Sequence, residues 1–159
     1  MKRLLLIRHA KAVHEDGYSD FERPLKQSGL QDAATMAARL HEYSIIPQLL
    51  ISSPALRTIT TANIFSEHLS LPQANTDKEI YEADTGTLVN IIKSLPAAYD
   101  FIGLVGHNPG ISQLLFYLTG EIRDMETCTT VLIDFWVEDW DAITNNSASI
   151  AYYSYPGEE

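Results

Sequence analysis

Leu4–Ile7 is an unbroken apolar run, Leu-Leu-Leu-Ile, that ends abruptly in Arg8-His9. Such a run, without alternation, predicts a strand covered on both faces, as inside a parallel sheet. In open parallel sheets ligands bind just beyond the carboxyl ends of the strands. An arginine and a histidine at that point are poorly placed for packing and well placed for chemistry. Arg8 offers a planar fork of donors suited to phosphate or carboxylate. His9 offers a ring nitrogen that can serve as nucleophile, base or metal ligand.

The pattern recurs twice. Phe101–Gly106 is a second apolar run and delivers His107-Asn108-Pro109-Gly110 to its carboxyl end. Leu49–Ser52 is a third, followed by Ser53-Pro54 and then Arg57 in the first turn of an expected helix Pro54–Leu69. Ser53 is suited to the N-cap and Pro54 to the first helical position. A helix N-terminus favours a nearby anion, which Arg57 would reinforce. Strands ending in Arg-His, Arg and His converge on binding a phosphoryl group. His9 and His107 as zinc ligands is the competing metal reading, but it lacks a clear third ligand and sets arginines beside the metal.

Between these motifs the chain reads as alternating elements. Ser28–Tyr43 carries a helical stripe at Leu30, Ala33, Ala34, Ala37 and Leu40, and Pro109–Thr119 carries one at Ile111, Leu114, Leu115 and Leu118. Leu88–Leu95 is a helix that Asp84 or Thr85 can cap. Glu79–Tyr81 reads as a short extended piece. Thr129–Val137 and Ala148–Tyr155 read as a terminal β-hairpin, with Trp136 and Trp140 as packing residues and Pro156–Glu159 as a frayed tail. The expected architecture is α/β: a three-layer sandwich of a mostly parallel sheet with helices on both faces. The length of 159 residues suits one domain spanning 1–159.

The net charge of −10 argues against general nucleic-acid binding, so an anionic substrate needs a local positive site. No apolar run approaches the ~18 residues of a membrane span, and the N-terminal run is too short for a signal peptide, giving an expectation of no membrane association and a cytoplasmic location. The single cysteine, Cys128, excludes an internal disulfide.

Arg8-His9-Ala10-Lys11-Ala12, Ser52-Ser53-Pro54-x-x-Arg57-x-x-x-Thr61-Ala62 and Gly106-His107-Asn108-Pro109-Gly110, in this order, resemble the histidine phosphatase superfamily, also called phosphoglycerate-mutase-like. The short chain, the form of the first motif, and Arg23-Pro24-Leu25 with Gly29 resemble most closely the SixA-type phosphohistidine phosphatases. The resemblance implies that His9 attacks phosphorus and becomes phosphohistidine, which water then cleaves. Arg8, Arg57 and His107 would bind the peripheral oxygens, with no metal or cofactor. Nearby arginines should lower the pKa of His9. Many relatives place a glutamate near Glu82 as proton donor; SixA-type members need not have one. Many relatives also carry glycine where this chain has Ala10, which would be strained at positive φ.

Lys11–Lys26 reads as a long rim loop. Its Arg23 has two open readings: a contact to phosphate or partner, or a salt bridge to Glu22, Asp20 or Asp16. Asn108 is a further candidate for phosphate or substrate. The expected ligand is phosphate, sulfate or a similar anion. Only the rim loop is long enough to wall the site, which predicts an open groove that a protruding phosphohistidine on a phosphotransfer protein could enter. A small phosphate ester handled by a phosphatase or mutase with the same pocket, or a non-catalytic phosphate binder, are the alternatives.

Overall fold

A computed structural model describes residues 1–14 and 16–158. Glu15 in the rim loop and Glu159 in the expected tail lie outside the described residues. The elements are β1 (Lys2–Arg8), α1 (Gln27–Glu42), β2 (Leu49–Ser52), α2 (Leu56–His68), β3 (Asn75–Thr76), α3 (Thr85–Lys93), β4 (Phe101–Gly106), α4 (Gly110–Thr119), β5 (Thr130–Phe135) and β6 (Ala148–Ser154). One six-stranded sheet has the order β3-β2-β4-β1-β5-β6. β3, β2, β4 and β1 run parallel, and the β5–β6 hairpin is antiparallel beside β1. The fold is the expected α/β sandwich with a mostly parallel sheet.

Alternation along β1 explains the layers. Leu4 and Leu6 point into one core with Leu88 and Ile92 of α3 and Ile111, Leu114 and Leu118 of α4. Leu5 and Ile7 point into the other with Ala33, Met36 and Ala37 of α1 and Ala62 and Phe65 of α2. All four β1 residues are fully buried, each worth roughly 1.5–3 kcal/mol of transfer free energy. A strand covered on both faces needs no polar alternation, which is why the run could be read directly.

Register then sets the site. Leu5 lies opposite Gly103 and Arg8 opposite Gly106, while Ser52 lies opposite Val105. The amide of His9 donates to the Gly106 carbonyl at 3.1 Å and that of Ser53 to Val105 at 3.3 Å. Three adjacent parallel strands therefore end level with one another, and the residues just past them face one space.

Several local expectations differ. Leu30 is exposed, and the buried stripe of α1 is Gly29, Ala33, Met36, Ala37 and Leu40. Gly29 packs on the Lys11 backbone, where a side chain would collide with the Lys11 carbonyl oxygen. That close approach turns the helix so that Leu30 faces out. α2 begins at Leu56 with Ala55 at the N-cap, not at Ser53-Pro54, because Ala55 is still extended at ψ 140°. Residues Lys78–Ile80 form a 3₁₀ turn instead of an extended piece, since the Asp77 carboxylate accepts from the Glu79 amide at 2.9 Å. Trp140 is buried and donates to the Tyr99 carbonyl at 2.9 Å, but Trp136 is 72% exposed beyond the end of β5. Asp84 caps α3 as expected, accepting from the Thr87 amide at 2.8 Å. Among the described residues no helix is long and apolar enough to cross a membrane.

Candidate active site

Arg8, His9, Arg57 and His107 line one cavity of about 340 Å³ at the carboxyl ends of β1, β2 and β4. Lys11, His14, Asp20, Arg23 and Lys26 of the rim loop complete its wall. The loop is held in place by the Val13 amide on the Pro24 carbonyl at 2.8 Å and the Lys26 amide on the Lys11 carbonyl at 2.9 Å. Cationic side chains thus gather locally in a chain of net charge −10.

His9 is 7% exposed. Its Nδ1 lies 2.8 Å from the Ala10 carbonyl oxygen. A carbonyl can only accept, so Nδ1 carries the proton and Nε2 keeps its lone pair. Burial pushes the imidazole down to about 3, with His107, Arg57 and Arg8 adding to the effect and the Ala10 hydrogen bond opposing it. The arginines therefore act in the expected direction, but burial leads. Ala10 is buried, has no positive φ, and its amide donates to Thr61 Oγ1 at 3.0 Å. Alanine is unstrained there.

His107 sits 5.3 Å from His9, ring centroid to centroid. Arg57 Nη2 lies 3.2 Å from its Nδ1. A guanidinium can only donate, so Nδ1 accepts and Nε2 carries the proton. Nε2 donates to Ser53 Oγ at 2.8 Å and lies 3.2 Å from Thr58 Oγ1. Burial first, then Arg57, lowers His107 to about 4, with Asp20 opposing. Both imidazoles are neutral in the unliganded site near pH 7.

The arginines are fixed by carbonyls. Arg8 Nη1 donates to the Met125 carbonyl at 2.9 Å, and Arg57 Nη1 to the Asp20 carbonyl at 2.6 Å. Arg23 contacts Asp20 Oδ1 at 3.5 Å and His14 Nδ1 at 3.3 Å. Both readings of Arg23 therefore meet in one side chain: it joins the Asp20 ion pair and also lines the cavity. Arg8, Arg23 and Arg57 each keep a buried Nε–H with no acceptor among the described residues. Buried donors are rarely left unpaired. Among the described residues, the cationic groups that line the cavity, Arg8, Lys11, Arg23, Lys26 and Arg57, outnumber its single acid, Asp20, which favours an anion there.

Glu82 does not line this cavity. It is exposed, has φ 56°, and borders a neighbouring cavity of about 500 Å³ that shares Asp20, Arg57, His107 and Asn108 with the first. Asn108 lines both cavities. Its amide nitrogen donates to the Met125 carbonyl at 2.9 Å and lies 3.2 Å from Asp124 Oδ1, while its oxygen accepts from Ser112 Oγ at 2.7 Å. The side chain is thus spent on holding the 124–125 segment that also receives Arg8. Among the described residues no group of three or more His, Cys, Asp or Glu is placed to hold a metal ion.

The residues that sequence reasoning missed are the partners. Asp20 sits on Arg57 and receives the Tyr81 hydroxyl at 2.6 Å, which helps push Tyr81 up to about 12. Ser53 and Thr58 hold His107. Ser53 carried a signal, its place before a helix, but that signal pointed to capping. Asp20 was named only as one of three possible partners of Arg23, and Tyr81 carried no signal, because only the folded loop brings them together with Arg57.

Comparison with known proteins follows the same lines. The family model of the histidine phosphatase superfamily (branch 1) matches residues 4–114. The SixA protein of Agrobacterium tumefaciens superposes with TM-score 0.84 at 24% identity, covering 98% of this chain and 99% of its own. A protein histidine phosphatase SixA complexed with tungstate superposes with TM-score 0.84 at 21% identity, over 97% of each chain. An uncharacterised chloroplastic protein of Arabidopsis thaliana is 28% identical over 151 residues, 88% of this chain and 69% of that relative. With Arg8-His9 and His107 delivered side by side by the matched segment, the chain belongs to the histidine phosphatase superfamily, branch 1, and its fold is SixA-like.

Proposed function

We propose that the protein is a phosphatase working through a phosphohistidine on His9. The observation that carries this reading is the bare Nε2 of His9, without a hydrogen bond among the described residues, in a cavity ringed by Arg8, Arg23 and Arg57. A site built only to bind phosphate needs donors; an unprotonated imidazole nitrogen adds a nucleophile. Nε2 attacks phosphorus, a P–N bond forms, and the bond to the leaving group breaks. Arg8, Arg57 and His107 balance the charge on the peripheral oxygens, and Arg23 adds a further donor. Water then attacks the phosphohistidine, releasing inorganic phosphate and neutral His9. Glu82, at the adjoining cavity, is the proposed proton donor to the leaving group. Asn108 orients the Arg8 receptor segment.

The proposed substrate is a phosphohistidine on a protein such as a phosphotransfer domain. Solved relatives of the same fold include a protein histidine phosphatase, and the exposed Lys11 and Lys26 stand at the cavity wall. A small phosphate ester is the second reading, because the adjoining cavity of about 500 Å³ could hold a leaving group. The test is kcat/KM on a phosphorylated phosphotransfer protein against free phosphohistidine and sugar phosphates. A small ester preferred by ~10²-fold, about 2.7 kcal/mol, would overturn the protein-substrate reading.

A further inference from the structure

We propose that Asp20 is a positioning residue of the proposed phosphatase reaction, fixing the Arg57 guanidinium against His107 so that both meet the transition state in one geometry. The proposal rests on the phosphatase reading of the site. Asp20 lies in the 3₁₀ turn Asp20–Glu22 of the rim loop and faces the first turn of α2. Its carbonyl accepts from Arg57 Nη1 at 2.6 Å and its Oδ2 from Arg57 Nη2 at 3.1 Å. Among the described residues, the remaining hydrogen bond of the guanidinium is to His107 Nδ1 at 3.2 Å. One residue thus supplies two of the three hydrogen bonds that, among the described residues, orient a long side chain only 7% exposed.

Asp20 is itself oriented. Tyr81 donates to Oδ2 at 2.6 Å from the connection between β3 and α3. The Tyr81 ring meets Phe21 edge-on at 5.2 Å and His107 at 5.5 Å. The clasp therefore ties the rim loop to the opposite lip of the mouth, over His107. A carboxylate beside an anion site weakens ground-state anion binding. Its benefit has to come through the geometry it imposes on Arg57, which matters most where charge develops.

The test uses binding and turnover together. Asp20→Ala should lower kcat ~10-fold with KM within ~3-fold, the scale of losing an orienting partner. Asp20→Asn, whose amide oxygen can still accept from Arg57 and Tyr81, should return kcat to within ~3-fold of the parent, and it guards against Asp20→Ala failing to fold. Added to Arg57→Ala, Asp20→Ala should cost nothing further. In calorimetry, Asp20→Ala should weaken orthovanadate ~10-fold and phosphate by less than ~3-fold, since only vanadate mimics the transferring group. Unchanged kcat with tighter phosphate binding would make Asp20 a mere competitor and overturn the proposal. So would Asp20→Asn being as impaired as Asp20→Ala. The vanadate arm needs no turnover: the expected vanadate pattern in a protein that hydrolyses nothing would sink the phosphatase reading and leave the positioning role standing.

Discussion

His9 and His107 occupy equivalent places, one residue past the ends of adjacent parallel strands, yet they hold opposite tautomers. His9 donates Nδ1–H to its neighbour's carbonyl and leaves Nε2 bare. His107 is engaged at both nitrogens, accepting from Arg57 and donating to Ser53. Burial keeps both neutral, so charge does not separate them. The hydrogen-bond partner separates them. A backbone carbonyl leaves one ring with a free lone pair at Nε2, as the proposed nucleophile requires; a guanidinium and a hydroxyl engage both nitrogens of the other and hold it in place.

The sharpest way to break this comparison is to remove each ring. His9→Ala should abolish the covalent step and lower turnover ~10⁴-fold or more, as when a nucleophile is deleted. Acid-labile, base-stable phosphate label should appear on the parent and not on this variant. A label mapping to any other residue would reverse the assignment. His107→Ala should cost ~10²-fold while leaving His9 labelled, the scale of losing one donor to developing charge. Equal losses with no label on either variant would mean that the two rings act as one unit.

How far this was legible before folding depends on what each residue uses. The three buried strands and the layers they imply were readable because a doubly covered strand writes its burial as an unbroken run. Arg8, His9, Arg57 and His107 were readable because polar groups at the ends of such runs have no packing role there. The tautomers were not, because they depend on Ala10's carbonyl direction and on Ser53, whose place before α2 suggested capping instead. Gly29 was noticed, but its contact with the Lys11 backbone crosses from helix to loop and exists only in three dimensions. Asp20 reads as one acid among several in the rim loop until Arg57 and Tyr81 converge on it.

A milder test asks whether Ser53 fixes His107. Ser53→Ala removes the acceptor of Nε2–H at 2.8 Å and leaves only Thr58 Oγ1 at 3.2 Å. Turnover should fall ~10-fold, smaller than deleting the ring itself. Ser53→Thr should restore most of it if the hydroxyl alone matters. A fall in Tm without a fall in kcat would assign Ser53 to folding alone.

The smallest expected effect concerns stability, and it tests the burial that the two rings share. His9 is pushed from 6.5 to about 3 in the folded chain, so the unfolded chain binds its proton first as pH falls. A depressed pKa contributes stability that is full above the unfolded value and is lost on acidification through it. Between pH 7 and pH 5.5 that loss amounts to about 1 kcal/mol for one such group. His9→Gln has nothing to protonate at this position. Urea unfolding of the parent should therefore lose about 1 kcal/mol more than His9→Gln over that interval, with unchanged m-values. His107 titrates in the same direction toward about 4, so it contributes to both proteins and largely cancels in the difference. If His9→Gln loses as much stability as the parent, neither burial nor the arginines lower the His9 pKa in the folded chain, and the proposed nucleophile loses its unprotonated ring on mild acidification.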